Sequence, residues 1–349
     1  MIVVHIESGL GNQMLTFCEY LALKKENPTE EIYIETIIYE IQECNKVICQ
    51  WNGFELGRIF GLKPKNIKEL FSESEWKSII EDIKKTEFWN KSWNYPVYFT
   101  EVLKKHGLEL KNIRGDFEDT HFMMKDKNPN SIQSKLSHTR LWYECRRIMR
   151  RIRRKKIVKA ASQKDILFKK CTESIFTGQR LAFKEPCNDI CKIEDEIRES
   201  FRFPEFTELE NLQMLHILQE TNSVAIHARR GDMMTMNAPL YKYGYFRRAV
   251  KYIKKKIEDP VFVFFCDPGS VEWCKENEKI FGLNFDKDTV HFVNWNAGDD
   301  SYKDMQLMSN CKHAIITNSS FGWWGAYFIS NPDKITISPD IAIDTTHHF

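Results

Sequence analysis

Two adjacent arginines at the end of an apolar stretch carry the clearest chemistry in this sequence. The stretch leads into His227-Ala228-Arg229-Arg230-Gly231-Asp232. Such a stretch is typical of a strand buried in a parallel sheet, and open α/β sheets bind ligands beyond the carboxyl ends of their strands. A planar guanidinium can form paired, charge-assisted hydrogen bonds with a diphosphate, which the point charge of a lysine cannot. The pattern therefore predicts a site for an anionic, phosphorylated ligand.

The two arginines are not expected to have the same role. Side chains alternate between the two faces of a strand, so only one of Arg229 and Arg230 should face the ligand directly. The other is expected to buttress the loop or to pair with an acid such as Asp232. The segment thus predicts one ligand-binding arginine and one structural arginine.

A second polar group, Asn318-Ser319-Ser320, follows a predicted strand that ends at Thr317. Hydroxyl and amide side chains in this position can cap the helix that follows. The same side chains, together with the backbone N–H groups at the start of a helix, can also hold a phosphate. One polar residue is enough for a cap, so three in a row favour a phosphate site.

A glycine turn, Gly9-Leu10-Gly11, follows the first apolar run of the chain. The third glycine of a dinucleotide-binding fingerprint is missing, because Met14 occupies its place, and no Walker A lysine follows. A tight turn still allows a ligand to approach the backbone closely, with Asn12 and Gln13 presenting amides towards it. A plain strand–helix turn is the alternative interpretation.

The elements that position these residues read as two α/β domains. A chain of 349 residues exceeds the size of one comfortable core, and strand-like and helix-like stretches alternate at both ends. We predict a Rossmann-like N-terminal domain over residues 1–200 and a second one over residues 201–349. The aromatic residues between 88 and 99 are interpreted as core, with a platform for a sugar ring as the alternative.

A basic insertion near residues 141–170 interrupts the first domain. Leu141, Cys145, Ile148 and Ile152 fall on one face of a helix, and arginines and lysines surround them up to Lys156. The segment 141–159 is therefore either a solvated basic helix packed against the core or an amphipathic helix on an anionic membrane surface. The net charge of only +2 argues against a nucleic-acid partner.

The cellular compartment follows from what the chain lacks. Its first apolar run reads as a strand and not as a signal peptide, and no run reaches the length needed to span a bilayer. The ten cysteines form no C-x-x-C pair and are interpreted as reduced, buried residues. We expect a cytoplasmic protein, with peripheral contact at the inner face of the membrane if the basic helix binds there.

In combination and order, four segments resemble glycosyltransferase family 11, the α-1,2-fucosyltransferases of the wider α-1,2/α-1,6/O-fucosyltransferase superfamily. They are residues 9–14, 224–232, 263–267 and 302–325. The resemblance implies a GT-B-like fold, in which two Rossmann-like domains face a cleft. It also implies GDP-β-L-fucose as donor, inversion at the anomeric carbon, and no metal ion or other cofactor. The sequence agrees on the metal, because no Asp-x-Asp motif directly follows a predicted strand.

The resemblance also implies roles for individual residues. Arg229 would hold the β-phosphate, and His227 and Asp304 would contact the guanine or its ribose. Ser319 and Ser320, with Asn318 beside them, would bind phosphate, and Asn12 would lie near the fucose. The general base stays open, with Asp232 the best candidate by position and Asp116 a weaker one.

The expected reaction is transfer of L-fucose to the 2-hydroxyl of a terminal galactoside. The acceptor would be an oligosaccharide or a lipid-linked glycan, as in bacterial glycan biosynthesis. Two alternatives remain open. The chain could be a non-catalytic protein that binds a nucleotide sugar on the same fold, or a fucosyltransferase that forms a different linkage, such as one to a 6-hydroxyl.

Overall fold

A computed structural model describes most of the chain. The described residues are 1–91, 95–113, 168–178, 190–231 and 234–339, together with 139–142, 144, 145, 148 and 149. They form two compact units, the first ending at Arg202 and the second beginning at Phe203. Each unit contains one parallel β-sheet. The predicted α/β class is therefore confirmed.

The first unit is built on a four-stranded sheet of order β2-β1-β4-β3. Its strands are β1 Ile2–His5, β2 Ile32–Glu35, β3 Lys111–Asn112 and β4 Ile175–Thr177. Its helices are α1 Leu10–Glu26, α2 Leu56–Phe60, α3 Glu73–Lys84, α4 Pro96–Lys105 and α5 Glu194–Ser200. β1 is buried along its whole length, as expected for a central strand of a parallel sheet.

The aromatic residues between 88 and 99 belong to the core of this unit. Phe88, Tyr95 and Phe99 are fully buried and pack against one another edge to face or tilted. The prediction of core is therefore confirmed for these three rings, and the alternative of a sugar platform is wrong for them.

The second unit is built on a five-stranded parallel sheet of order β7-β6-β5-β8-β9. Its strands are β5 Asn222–Ala228, β6 Pro260–Cys266, β7 Val290–Val293, β8 His313–Ile315 and β9 Thr336–Ile337. Its helices are α6 Leu209–Glu220, α7 Met234–Lys242, α8 Tyr245–Lys256, α9 Val271–Glu276, α10 Glu278–Phe281, α11 Tyr302–Ser309 and α12 Ser320–Phe328.

The register of this sheet decides which polar residues meet at its carboxyl edge. Ala228 pairs with Cys266, and Ile226 pairs with Ile315. The loops after β5, β6 and β8 therefore leave the sheet side by side. These three loops contain the arginines, Asp267 and the Asn318–Ser320 segment.

Two expectations about the surface need correction. Cys49, Cys145 and Cys191 are exposed, whereas the sequence interpretation placed the cysteines in the interior. Leu141 and Ile148 are also exposed. Together with Cys145 they belong to the apolar stripe of the basic segment, so the stripe does not pack against the core at these positions. Most of the segment 141–159 lies outside the described residues, and its contact with a membrane stays a prediction.

Candidate functional site

The loop after β5, called the arginine loop here because it carries Arg229 and Arg230, is fixed by one carboxylate at the end of the neighbouring strand. Arg229 Nη1 lies 2.6 Å from Asp267 Oδ1. The other carboxylate oxygen, Oδ2, accepts hydrogen bonds from the backbone N–H groups of Arg230 and Gly231, at 2.6 and 3.0 Å. Because Asp267 directly follows β6 and the loop directly follows β5, the pairing of the two strands brings these groups together.

Arg230 points to a different environment from Arg229. Its guanidinium carbon lies 3.3 Å from the centroid of the Trp273 ring and 5.7 Å from that of Tyr241. This is the geometry of a cation–π contact, in which the negative face of the ring attracts the cation. Arg230 therefore buttresses the loop, as side-chain alternation predicts, and it does so on aromatic rings.

His227 is buried beneath this loop. Burial and the nearby Arg229 guanidinium lower its pKa to about 4, so the imidazole is neutral at pH 7. Nδ1 lies 3.2 Å from Thr317 Oγ1, and the ring stacks on Phe321. A neutral ring in a fixed orientation can hydrogen-bond a base or a ribose hydroxyl without adding charge.

The backbone of α12 lies directly against this histidine. A Cβ atom added at Gly322 would lie 2.4 Å from His227 Nδ1 and 2.9 Å from Cγ, so the ring could not keep its place. We expect Gly322→Ala to cost about 1–3 kcal/mol of stability, as overpacking typically does, and to weaken the binding of GDP, the ligand that the sequence resemblance implies, as measured by calorimetry.

Gly269→Ala is the control for this prediction, since an added Cβ there meets nothing within 4 Å. The control should bind GDP like the wild type. Equal GDP affinity of the Gly322→Ala variant and the wild type would show that the position of His227 does not matter for the nucleotide.

Asn318 is the polar residue that most directly indicates a ligand. Its side chain is 2% exposed, and neither Nδ2 nor Oδ1 has a hydrogen-bond partner within the part of the chain that the structure describes. A buried amide without partners is costly, typically by 1–3 kcal/mol for each group, as a rough guide. A ligand that supplies these partners would offset this cost. Ser319 and Ser320 beside it are also buried.

Asn237 on α7 connects the arginine loop with the Asn318 loop. Its Nδ2 donates to the carbonyl oxygen of Arg229 at 3.0 Å, and its Oδ1 accepts from the backbone N–H of Asn318 at 3.3 Å. The side chain is fully buried. Sequence reasoning missed both Asn237 and the role of Asp267. Of these two residues, only Asp267 could have been found from the sequence, because it directly follows a predicted strand.

Asp304 lies on α11, which packs against α12. Its Oδ1 accepts a hydrogen bond from Asn296 Nδ2 at 2.9 Å, and Asn296 is held in turn by Asn211. Burial of the carboxyl raises its pKa to about 7, although the Asn296 hydrogen bond opposes this shift. Near neutral pH this acid is therefore partly protonated.

This raised pKa makes the stability of the protein depend on pH. In the unfolded chain the carboxyl of Asp304 has its ordinary pKa of 3.8, and in the folded protein its pKa is about 7. The folded state therefore binds more protons in this window, and its stability falls as the pH rises through it. Asp304→Asn keeps an oxygen that accepts from Asn296, and we expect it to flatten this part of the stability profile.

Urea unfolding at pH 4 to 8 would check this expectation, with the exposed Asp333→Asn as a control that should leave the profile unchanged. A profile of the Asp304→Asn variant that still falls with the wild-type slope would assign the pH dependence to other groups.

The first unit holds the remaining predicted contact residue and a buried charge cluster. Asn12 lies near the start of α1, and its Oδ1 has no hydrogen-bond partner among the described residues. His5, at the end of β1, contacts Glu35 through Nδ1, and its Nε2 lies 3.5 Å from Glu7 Oε2 and 3.3 Å from the Tyr95 hydroxyl. The sequence interpretation did not foresee this cluster, because only the register of β1 and β2 places His5 beside Glu35.

The two candidate bases lie outside the described residues, and so both assignments stay predictions. These residues are Asp232 and Asp116. Within the described ranges, no group of three or more histidine, cysteine, aspartate or glutamate side chains could hold a metal ion. The same part of the chain contains no helix long and apolar enough to cross a membrane.

Some known proteins are similar to this chain over a limited length. The alpha-1,2-colitosyltransferase of Escherichia coli is 36% identical over 151 residues, which cover 42% of this chain and 49% of that protein. The O-antigen biosynthesis glycosyltransferase WbnK, also of Escherichia coli, is 34% identical over 35% of this chain and 40% of its own length. The galactoside alpha-(1,2)-fucosyltransferase 1 of Plecturocebus brunneus is 32% identical over 30% of this chain and 28% of that protein. The matched regions thus span half or less of each relative.

Among solved structures, the fucosyltransferase NodZ from Bradyrhizobium aligns with 93% of this chain and 91% of its own chain, at 11% identity and a TM-score of 0.41. The family model described as glycosyl transferase family 11 matches residues 168–348, just over half of the 349 residues. The matched region includes the arginine loop, Asp267, Asp304 and the Asn318–Ser320 segment. The chain belongs to glycosyltransferase family 11.

Proposed function

We propose that this protein transfers L-fucose from GDP-β-L-fucose to the 2-hydroxyl of a terminal galactoside, with inversion at the anomeric carbon. One observation carries the proposal. The edge of the second sheet holds an arginine fixed by Asp267, and it also holds a buried asparagine whose amide has no partner among the described residues. This combination suits an anionic ligand with several hydrogen-bonding groups, and family membership and the names of the relatives indicate which ligand that is.

The reaction develops charge at two places. The fucose ring acquires oxocarbenium character as the bond to the diphosphate breaks, as sugar rings do in glycoside hydrolysis. Negative charge grows on the β-phosphate, and Arg229 lowers the barrier to the extent that it binds this state more tightly than the ground state. Ser319 and Ser320 would bind phosphate oxygens, and His227 and Asp304 the guanosine. Because the Arg229 guanidinium already supplies positive charge at the phosphate, we propose a reaction that uses no metal ion.

The acceptor hydroxyl must lose its proton as it attacks. Asp232 is the residue we assign to this step, because it follows the arginine loop directly in the sequence. The galactose 2-oxygen then forms the new bond to C1 of fucose while GDP leaves from the opposite face with the bonding electron pair.

A colitosyl group is the second candidate for the transferred sugar, since one relative is named an alpha-1,2-colitosyltransferase. GDP-fucose and GDP-colitose should therefore be offered in parallel, each with lactose and a small panel of β-galactosides and with EDTA present. Product mass identifies the sugar, and linkage analysis identifies the hydroxyl. We expect a 2-O-fucosylated galactoside with EDTA in place.

Other results of this experiment separate the alternatives. A 6-O-linked product would overturn the linkage, and a colitosylated product alone would overturn the donor. Binding of GDP-fucose without hydrolysis or transfer to any acceptor would favour a nucleotide-sugar-binding protein. Activity that EDTA abolishes and Mg²⁺ restores would contradict metal independence.

A further inference from the structure

One tryptophan in the first unit is more exposed than is usual for this residue type. The Trp51 side chain is 47% exposed, although tryptophan is usually among the more buried residue types. Its indole lies against Gly9, at the turn between β1 and α1. A Cβ atom added at Gly9 would lie 2.7 Å from Trp51 Cδ1 and 3.2 Å from Cγ and Nε1. The ring can occupy this place only because residue 9 is a glycine.

The backbone of this region is held in an unfavourable conformation. Trp51 has φ +51° and Ser8 has φ +65°, in the left-handed region that residues other than glycine seldom adopt. Each such residue costs on the order of 1–3 kcal/mol and persists only where its surroundings enforce it. Strained residues of this kind are concentrated at ligand-binding sites. Here one of them is a tryptophan that is about half exposed.

Gln13 enforces this arrangement from within the fold. Its side chain is fully buried, and Nε2 donates to the carbonyl oxygens of Ser8 and Gly53, at 2.9 and 2.7 Å. Its Oε1 accepts from the backbone N–H of Glu55 at 2.9 Å. One amide thus ties the turn before α1 to the loop that carries Trp51. The indole is therefore fixed over the turn and does not depend on its own burial for its position.

A fixed, half-exposed indole suits one class of ligand particularly well. A pyranose ring has a face of C–H groups with slight positive charge, and the face of an aromatic ring is negative, so the two stack. The position also fits, because parallel sheets bind ligands beyond the carboxyl ends of their strands, and this turn leaves the end of β1. A purely structural tryptophan would be expected to bury most of its surface.

We propose that Trp51, lying on the Gly9 turn, forms a subsite that stacks a pyranose ring of the glycan acceptor. The assignment of this sugar to the acceptor rests on the proposed function, whereas the stacking of a sugar on Trp51 does not. The residues of this subsite lie in the first unit, which would then take part in choosing the glycan.

The first test measures sugar binding without any transfer. Saturation-transfer NMR from the wild-type protein to methyl β-galactoside, with GDP present, should show signals on the pyranose C–H protons. Trp51→Ala should abolish these signals, and Trp51→Phe should retain them, since it keeps an aromatic face. Tyr252→Ala is the matched control, because that ring is 49% exposed on α8 of the other unit. Unchanged GDP affinity of all variants would show that they are folded.

The second test uses the transfer reaction and the close approach of Gly9. We expect Trp51→Ala to raise KM for the galactoside about tenfold and to leave KM for GDP-fucose unchanged, because a lost aromatic contact costs an amount comparable to one tenfold step in affinity. Gly9→Ala should produce the same defect by displacing the indole. Added to Trp51→Ala, it should produce no further loss, since the two changes act on one contact.

Several outcomes would overturn the inference. They are saturation transfer that is absent from the wild type or unchanged in Trp51→Ala, a rise in KM for the donor alone, and fully additive effects of the two substitutions. Failure of the wild type to transfer fucose would overturn the proposed function instead. The NMR result would then still decide whether Trp51 binds a sugar.

Discussion

Replacing Arg229 by lysine is expected to lower kcat/KM for the proposed fucosyl transfer by a factor of about 10² to 10³, the usual effect of losing one preorganised donor to a developing anion. A guanidinium has five N–H donors in a planar fork, so it can bind Asp267 through Nη1 and present further N–H groups to a phosphate. A lysine ammonium is a single point charge, so it cannot contact a carboxylate and a phosphate in the same planar arrangement. It would either remain with Asp267 or follow the phosphate.

The Arg229→Lys variant should be compared with Arg248→Lys, an exposed position on α8 whose side chain binds a backbone carbonyl. Initial rates at varied GDP-fucose and acceptor concentrations would give kcat and KM for both variants. The control is expected to match the wild type. Wild-type turnover of the Arg229→Lys variant would show that Arg229 has no part in the mechanism.

Replacing His5 by alanine is expected to destabilise the first unit by several kcal/mol, about 1–3 kcal/mol for each buried polar group that loses its partner. His5 is fully buried between two carboxylates, those of Glu35 and Glu7, which are themselves buried. Without the imidazole, two acidic groups would face each other in the interior. Urea unfolding at pH 7 would measure the loss as a lower transition midpoint.

His216→Ala is the matched control, because His216 is exposed on α6, and we expect it to unfold with the wild-type midpoint. Glu35→Gln offers a second test of the same cluster, since it removes a charge and keeps an oxygen that can accept a hydrogen bond. A His5→Ala protein as stable as the wild type would show that the cluster contributes no net stability.

The parts of the site that lie directly after a strand could be predicted from the sequence. Arg229 and Asn318 follow apolar stretches, and the rule that ligands bind at the carboxyl ends of parallel strands places them at one edge. The sequence cannot show which strands are neighbours. From the sequence alone Asp267 is only the last residue of the 263–267 segment, and its pairing with Arg229 appears only once β5 and β6 are aligned.

Contacts between residues far apart in the chain account for most of what was missed. Asn237 joins the loop after β5 to the loop after β8, which are nearly ninety residues apart in the chain, and neither loop has a sequence pattern that predicts a contact with a helix side chain. Gln13 was predicted to present its amide to a ligand, but its side chain is buried and holds the Trp51 loop. Trp51 has no periodic pattern around it, so its exposure and its place on Gly9 follow only from the folded chain.

The pairing of Asp267 with Arg229 also has a consequence for the departure of the product. In the proposed reaction, GDP keeps its negatively charged diphosphate after transfer, and an arginine without a carboxylate partner would hold it strongly. Asp267 would compete for the same guanidinium and repel the phosphate charge, and we expect this to shorten the lifetime of the GDP complex. Release of product limits turnover in many enzymes. A carboxylate that positions the arginine for the incoming donor would thus also speed the release of the product.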